Sequence, residues 1–169
     1  MKRLVSLLRP HGAPPPRLTL SAIALATLGA GIAIGILAFA SGFTQVPLVL
    51  GSFGASCVLV FGYPESPFSQ PRSVIGGHVV ASACGLACLA LFGPVWWSMA
   101  LAAAFAVAAM HLTRTVHPPA GSNPVIVMLA VPNWHFLLTP TLAGAVLLVA
   151  VALCFHALVK GRKWPRYWV

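Results

Sequence analysis

The stretch TRTVHPPAGSNPVIVML, Thr113 to Leu129, decides how this chain is read. It sets an arginine, a histidine, three prolines, a glycine and an asparagine between two apolar runs. A residue that precedes proline is pushed out of the helical region, so His117 and Pro118 are expected to be extended. The next start signal is Asn123-Pro124, asparagine as N-cap and proline in the first helical position. A helix from Pro124 to Val131 is about 12 Å long at 1.5 Å per residue.

The surroundings give that short helix its meaning. Of 169 residues, 59% are hydrophobic and 7% charged, against roughly a quarter charged in a soluble domain. Such a chain cannot cover a surface facing water and belongs in a bilayer. At this length a single domain is expected. A hydrocarbon core is about 30 Å thick, so the helix starting at Pro124 begins inside it. The N–H groups near Val125 to Val127 cannot face lipid there. A helix N-terminus with free donors suits an anion. The competing reading is a proline-kinked helix whose freed groups are repaired by neighbours.

Working outward, six apolar stretches can be drawn, at 18–41, 46–62, 73–93, 95–113, 120–132 and 137–159. The first, third, fourth and sixth approach the roughly 20 residues a span requires; the second and fifth are short and interrupted. The expected fold is an all-α polytopic membrane protein: a basic N-terminal segment (1–17), a transmembrane domain (18–159) and a basic-aromatic tail (160–169). The run Leu18 to Ala40 is about 23 residues, longer than the roughly 7–15 of a cleaved signal, and reads as a retained span.

Ten Lys and Arg stand against one acid, Glu65, for a net charge of +9. Lys2, Arg3, Arg9 and Arg17 precede the first apolar run, and Lys160, Arg162, Lys163 and Arg166 follow the last. Positive flanks stay cytoplasmic and face anionic lipid; nucleic acid is not expected as a partner. With both termini cytoplasmic the number of crossings is even. Six crossings place Arg72 and Arg114 on the same side as the termini. Four, with the second and fifth stretches re-entrant, place them opposite. The positive-inside bias favours six.

Gly54-Ala55-Ser56-Cys57-Val58-Leu59-Val60 lines up with Gly121-Ser122-Asn123-Pro124-Val125-Ile126-Val127. More loosely, Pro71-Arg72 is echoed by Pro140-Thr141. Each unit is then a long, a short broken and a long segment, and three crossings per unit invert the second copy. Inverted repeats with a broken segment in corresponding places point to a transporter's binding site.

Arg72 and His78 open the third segment, and His111, Arg114 and His117 surround the end of the fourth. A charge at the bilayer centre costs at least ~2.5–3.5 kcal/mol and marks a pathway, whereas near the interface arginine snorkels at little cost. Apart from Glu65 there is no carboxylate. Cation sites and proton relays in membranes usually need one, as do most acid–base centres, so neither a cation pump nor an enzyme is expected. Cys57, Cys84, Cys88 and Cys154 all lie in apolar runs without a CxxC and read as small hydrophobes; no metal or cofactor is expected. Gly31-x-x-x-Gly35, Gly76-Gly77 and Ala81-x-x-x-Gly85 let helices approach closely, within one protomer or in a homo-oligomer.

His117-Pro118-Pro119-Ala120-Gly121 matches the name-giving motif of the HPP family of small membrane proteins. GSFGASCVLVFGYPESPFSQPRSVIGGH, Gly51 to His78, resembles that family's other recurrent block. The resemblance runs from about Pro47 into the last segment. It implies a compact helical membrane domain, and, from the plant plastid and cyanobacterial members, transport of nitrite and nitrate. The family's signature residues map onto Gly54, Ala55, Gln70, Pro71, Arg72, Gly76, Gly77, His78, Arg114, His117, Pro118, Pro119, Ala120 and Gly121. After HPPAG many relatives continue with small residues, whereas this chain has Ser122-Asn123-Pro124, a departure that bears on the substrate.

The reading that follows is a permease for a small monovalent inorganic anion, nitrite or nitrate by resemblance, in a bacterial inner membrane. Arg72, His78, Arg114 and His117 would attract the anion. Extended Pro118, Pro119, Gly121, Ser122 and Asn123 would line its site together with Gly54 and Ser56. The alternative is a non-transporting scaffold or accessory subunit assembling through glycine-rich helix faces.

Overall fold

The computed structural model describes residues 13–14 and 16–168, and among them every regular element is helical. Lys2, Arg3 and Arg9 of the basic N-terminal segment lie outside the described residues. In chain order the α-helices are α1 (Leu20–Thr44), α2 (Gly51–Gly62), α3 (Pro71–Phe92), α4 (Trp96–Leu112), α5 (Asn123–Ala130) and α6 (Ala143–Leu158). A 3-10 turn, Pro67–Ser69, precedes α3, another, Pro118–Ser122, runs straight into α5, and Trp134–Leu142 leads into α6. That last approach is broken at Thr139, whose backbone is extended (φ −136°, ψ 124°).

All six apolar stretches thus become helical, but their lengths differ from expectation. Leu20–Thr44, Pro71–Phe92 and Trp134–Leu158 are long and apolar enough to cross a membrane. The fourth segment was expected to be a further long one. It is held to 17 residues, about 25 Å, because Pro94 stands before it and Arg114 takes a left-handed backbone (φ 56°) after it.

Local signals set the boundaries. The Thr19 hydroxyl caps α1 by accepting from the Ala22 N–H at 3.2 Å. Pro71 opens α3 in the first turn, where a missing N–H is harmless. Only Gly29, Ala33 and Leu37 of α1 are buried, one narrow stripe at i, i+4, i+8, while Leu20, Phe39 and Phe43 are open. In water such a surface is a liability; in hydrocarbon it is the expected exterior.

α1, α2 and α6 share one core, including Ala33, Leu37, Phe53, Phe61, Leu148 and Ala152. α3, α4 and α5 share the other, with Ala81, Ala106 and Met110 at one level and Cys88, Ala102 and Met128 at the next. The long helix closing each half of the chain therefore packs with the opening helices of the other half.

The broken stretch runs on alongside α3 and does not fold back on itself. Thr115 and His117 lie against Gly76 and Gly77, Asn123 bonds Ser82, and Pro124 and Val127 lie against Gly85. Contacts that advance together along both segments mean that α5 runs parallel to α3. Gly77 is about 9 Å along α3 from Pro71, so the chain dips into the bundle before winding again. From there the 3-10 turn and α5 add about 22 Å, which brings α5 level with the far end of α3.

The C-terminal tail lies on the 63–70 loop. Trp164 Nε1 donates to the Ser69 carbonyl (3.1 Å), the Arg166 N–H to Gln70 Oε1 (2.8 Å), and Arg162 to the Phe61 carbonyl (3.0 Å). Leu18, before α1, lines a groove with Gly62 and Tyr63. Leu18 and the C-terminal tail thus lie at the same face of the bundle as Arg72 and Arg114.

Candidate functional site

At the centre of the bundle the structure gathers polar side chains from every part of the sequence. His78 faces inward from α3, two turns in, with Ser82 one turn further on the same side. Ser52 and Ser56 lie one turn apart on the buried side of α2. His117 is the last extended residue before the double proline (φ −138°, ψ 99°). Thr141 comes from the broken approach to α6. All are buried, and His78, His117, Ser56, Ser82, Asn123 and Thr141 have no exposed surface.

These groups form one connected chain. His117 Nδ1 lies 2.6 Å from the Phe68 carbonyl. A carbonyl only accepts, so Nδ1 carries the proton and Nε2 of the neutral ring is the acceptor. That nitrogen is 2.8 Å from Ser56 Oγ, which therefore donates to it. Ser56 Oγ in turn lies 2.9 Å from His78 Nε2, which donates. His78 Nδ1 is left to accept from Asn123 Nδ2 at 3.1 Å. The same amide nitrogen lies 3.3 Å from the His78 carbonyl and 2.9 Å from Ser82 Oγ. The carbonyl identifies it as nitrogen rather than oxygen. Ser82 Oγ then meets Thr141 Oγ1 at 3.1 Å. The Phe68 and His78 carbonyls thus orient His117 and Asn123, and with the rings neutral the donors between those two follow; between Ser82 and Thr141 either hydroxyl can donate.

Buried polar atoms are nearly always partnered, yet two here are not. Ser52 Oγ and Asn123 Oδ1 are buried without a hydrogen-bond partner. Beyond Thr141, the neighbouring Thr139 and Pro140 line a cleft of about 510 Å³, together with Pro47, Gly51, Asn133 and His135. This cleft lies at the ends of the helices away from Arg72 and Arg114. The polar chain therefore runs from the Phe68 loop at one face to beneath an open cleft at the other.

Four of the expected site residues, Ser56, His78, His117 and Asn123, are brought together. The remainder are not. Arg72 is spent on backbone, donating from Nη2 to the Thr113 carbonyl (2.9 Å) and from Nε to the Arg114 carbonyl (3.2 Å). Arg114 is exposed in the turn, and Gly54 and Pro118 are exposed on the outside of the bundle. Pro119 and Gly121 are half-buried, and exposed Ser122 donates back to the Pro119 carbonyl at 2.8 Å. His111 is exposed.

Two local expectations are corrected. Pro118–Ser122 is a 3-10 turn, not an extended segment: both His117 and Pro118 precede a proline, but only His117 stays extended. Pro118, its φ held at about −65° by its ring, takes the first place of the turn. Asn123 is inside the helix (φ −61°, ψ −41°) and caps nothing, its amide being taken by His78 and Ser82. Consequently the amides of Val125 to Val127 lie within a continuous helical run and are not a free helix end. Of the groups at the true start, two are prolines without an N–H, and the Ala120 N–H donates to the His117 carbonyl at 2.9 Å. The anion cradle expected from backbone donors is not built here; the site is made of side chains.

Ser52, Ser82, Thr141 and the Phe68 carbonyl were missed. Ser82 carried a legible signal, a polar residue at i+4 from His78 on an apolar helix. Thr141 and Phe68 carried none, since their places follow from how the 63–70 loop and the α6 approach fold over.

A bundle of apolar helices around a buried polar chain defines a polytopic membrane protein. The HPP transmembrane-region family matches residues 15–165. The chain belongs to that family. Two Dictyostelium discoideum proteins, both named only as transmembrane proteins, are similar to it. One is 35% identical over 128 residues, covering 71% of this chain and 41% of the relative. The other is 33% identical over 132 residues, covering 73% and 46%. The chain thus spans less than half the length of these relatives. No solved structure matches it significantly.

Proposed function

We propose that the protein transports a small monovalent inorganic anion, nitrite or nitrate by family resemblance, along the buried polar chain. The observation that carries this is a continuous line of hydrogen-bonding side chains, free of carboxylates, with the unpartnered donor Ser52 Oγ beside it. Leaving the Ser52 hydroxyl unpaired in an apolar interior costs about 1–3 kcal/mol, a cost that a passing anion removes by accepting its proton. The absence of an acid near the site lets an anion approach without repulsion.

The inverted repeat belongs to this proposal. It is supported by the exchange of α3 and α6 between the two halves. It is supported also by Ser56 and Asn123, equivalent in the sequence echo, which hold the two ring nitrogens of the same His78. A bacterial inner membrane with both termini cytoplasmic is supported by the basic residues Arg72, Arg114, Arg162 and Arg166 on one face.

Purified protein in liposomes tests the reading with nitrite, nitrate, formate and chloride. Ser52→Ala, which removes an unpartnered hydroxyl, is expected to slow anion flux about tenfold, the worth of one charge-assisted hydrogen bond. Uptake of none of the four would sink the transport reading. It would favour a scaffold, for which the uncovered Gly31 and Gly35 of α1 are the natural contact.

A further inference from the structure

Ser56 Oγ has two acceptors within reach and only one proton. His117 Nε2 is 2.8 Å away and the Ser52 carbonyl 3.1 Å. In the neutral cluster the hydroxyl donates to His117, as derived above. Now let His117 hold protons on both nitrogens. Nδ1 still donates to the Phe68 carbonyl, and Nε2 donates to Ser56 Oγ instead of accepting from it. The hydroxyl rotates to the Ser52 carbonyl, and His78 Nε2 continues to donate to the same oxygen. Every hydrogen bond is satisfied in both states, and no heavy atom has to move.

We infer that this His117–Ser56–His78 cluster is a proton-loading site, and that the anion crosses together with a proton. The inference rests on the transport reading above and names its coupling. One proton added to the cluster leaves a net charge of +1 in an apolar interior, a state that is costly unless the charge is paired. Among the described residues, those facing the cluster supply no partner. From α2 come Phe53, edge-on to His78 (centroids 4.9 Å apart), and the serines; from α5 comes Asn123; from the 63–70 loop comes a carbonyl. The two imidazoles meet edge-on, with centroids 5.0 Å apart. His156 is bonded to the Val60 carbonyl instead. Arg72 and Arg114 are at the end of the bundle and add positive charge only. Glu65 is exposed on the loop and paired with Arg166 at 2.6 Å.

The missing negative charge must therefore come from the transported anion. The Ser52 hydroxyl, buried and without a partner, is the donor left over for it. Charge balances at each stage. Proton and anion arrive at an uncharged cluster, the proton resides on His117 and the anion beside it, and both leave, returning Ser56 to His117. A lone anion or a lone proton would carry an uncompensated charge through the apolar core.

Nitrate is the probe, because it stays ionised and cannot carry a proton across lipid as the neutral acid. Liposomes containing the full chain and a trapped pH dye are given an inward nitrate gradient. The interior should acidify as nitrate enters, in equal numbers, and a potassium ionophore should not accelerate uptake. Nitrate uptake with constant interior pH, accelerated by the ionophore, overturns coupled entry and leaves the transport reading standing. Uptake of no anion at all removes both. Ser56→Ala, which deletes the shared oxygen, should lower coupled uptake at least tenfold. The wild-type proton-to-nitrate ratio is decisive even if that variant does not fold.

Discussion

Gly77 of α3 lies directly against His117: a Cβ at position 77 would come within 2.7 Å of the His117 Cβ and 2.8 Å of the Thr115 carbonyl oxygen. The second contact is backbone and cannot step aside. Gly77→Ala is therefore expected to cost about 1–3 kcal/mol by overpacking. It should also pull His117 away from Ser56. Thermal unfolding in detergent and anion flux should both fall. By contrast, Gly121 meets nothing within 4 Å, so Gly121→Val should fold normally. Unfolding at wild-type temperature by Gly77→Ala would show that the loop is not held where the contacts place it.

Arg72 ties the end of α4 to the start of α3 through the Thr113 and Arg114 carbonyls. Arg72→Ala is expected to destabilise by about 1–2 kcal/mol, the low part of the range for charged hydrogen bonds because the side chain is half-exposed. Arg114 sits at φ 56°, a conformation an L-residue adopts at a cost of about 1–2 kcal/mol. Arg114→Gly should be neutral or stabilising while removing the charge. If flux then falls although stability does not, the arginine guides anions to the face; unchanged flux assigns it to topology.

Ser52→Ala should separate stability from function. Its hydroxyl is buried without a partner, so alanine should leave stability unchanged or raise it by about 1 kcal/mol. Anion flux should nevertheless drop. A loss of stability would mean that the hydroxyl is engaged in the resting protein and not reserved for a ligand.

Trp164 and Glu65 make a useful contrast in the tail. Trp164 is 7% exposed, donates to the Ser69 carbonyl and lies tilted against His156 with centroids 5.2 Å apart. Trp164→Ala is expected to cost about 3–5 kcal/mol and to loosen the loop that carries the Phe68 carbonyl. Glu65 pairs with Arg166 on an exposed surface, and Glu65→Ala should cost less than about 1 kcal/mol. Unfolding curves of the two variants give the comparison directly.

The sequence placed the six helical segments within a few residues, because apolar length and proline are local signals that a bilayer leaves little room to override. It also marked His117-Pro118 as a break, since no helix passes through a residue locked by the proline after it, and His117 is indeed extended while Pro118 is not. Ser56, His78, His117 and Asn123 were legible as candidates because each is a polar residue that an apolar setting makes expensive.

What local signals could not supply was direction. Whether Asn123 caps a helix or reaches across to His78 depends on how near α3 comes, and that approach is set by Gly76, Gly77 and Gly85 meeting Thr115, His117 and Pro124. The arginines looked as available for an anion as the histidines did. Only packing showed Arg72 bound to carbonyls at the rim and the histidines sealed inside. Sharing of Ser56 by two imidazoles joins residues 22 and 61 positions away in the chain. Contacts of that range arise from the way helices pair, and tertiary structure alone decides them.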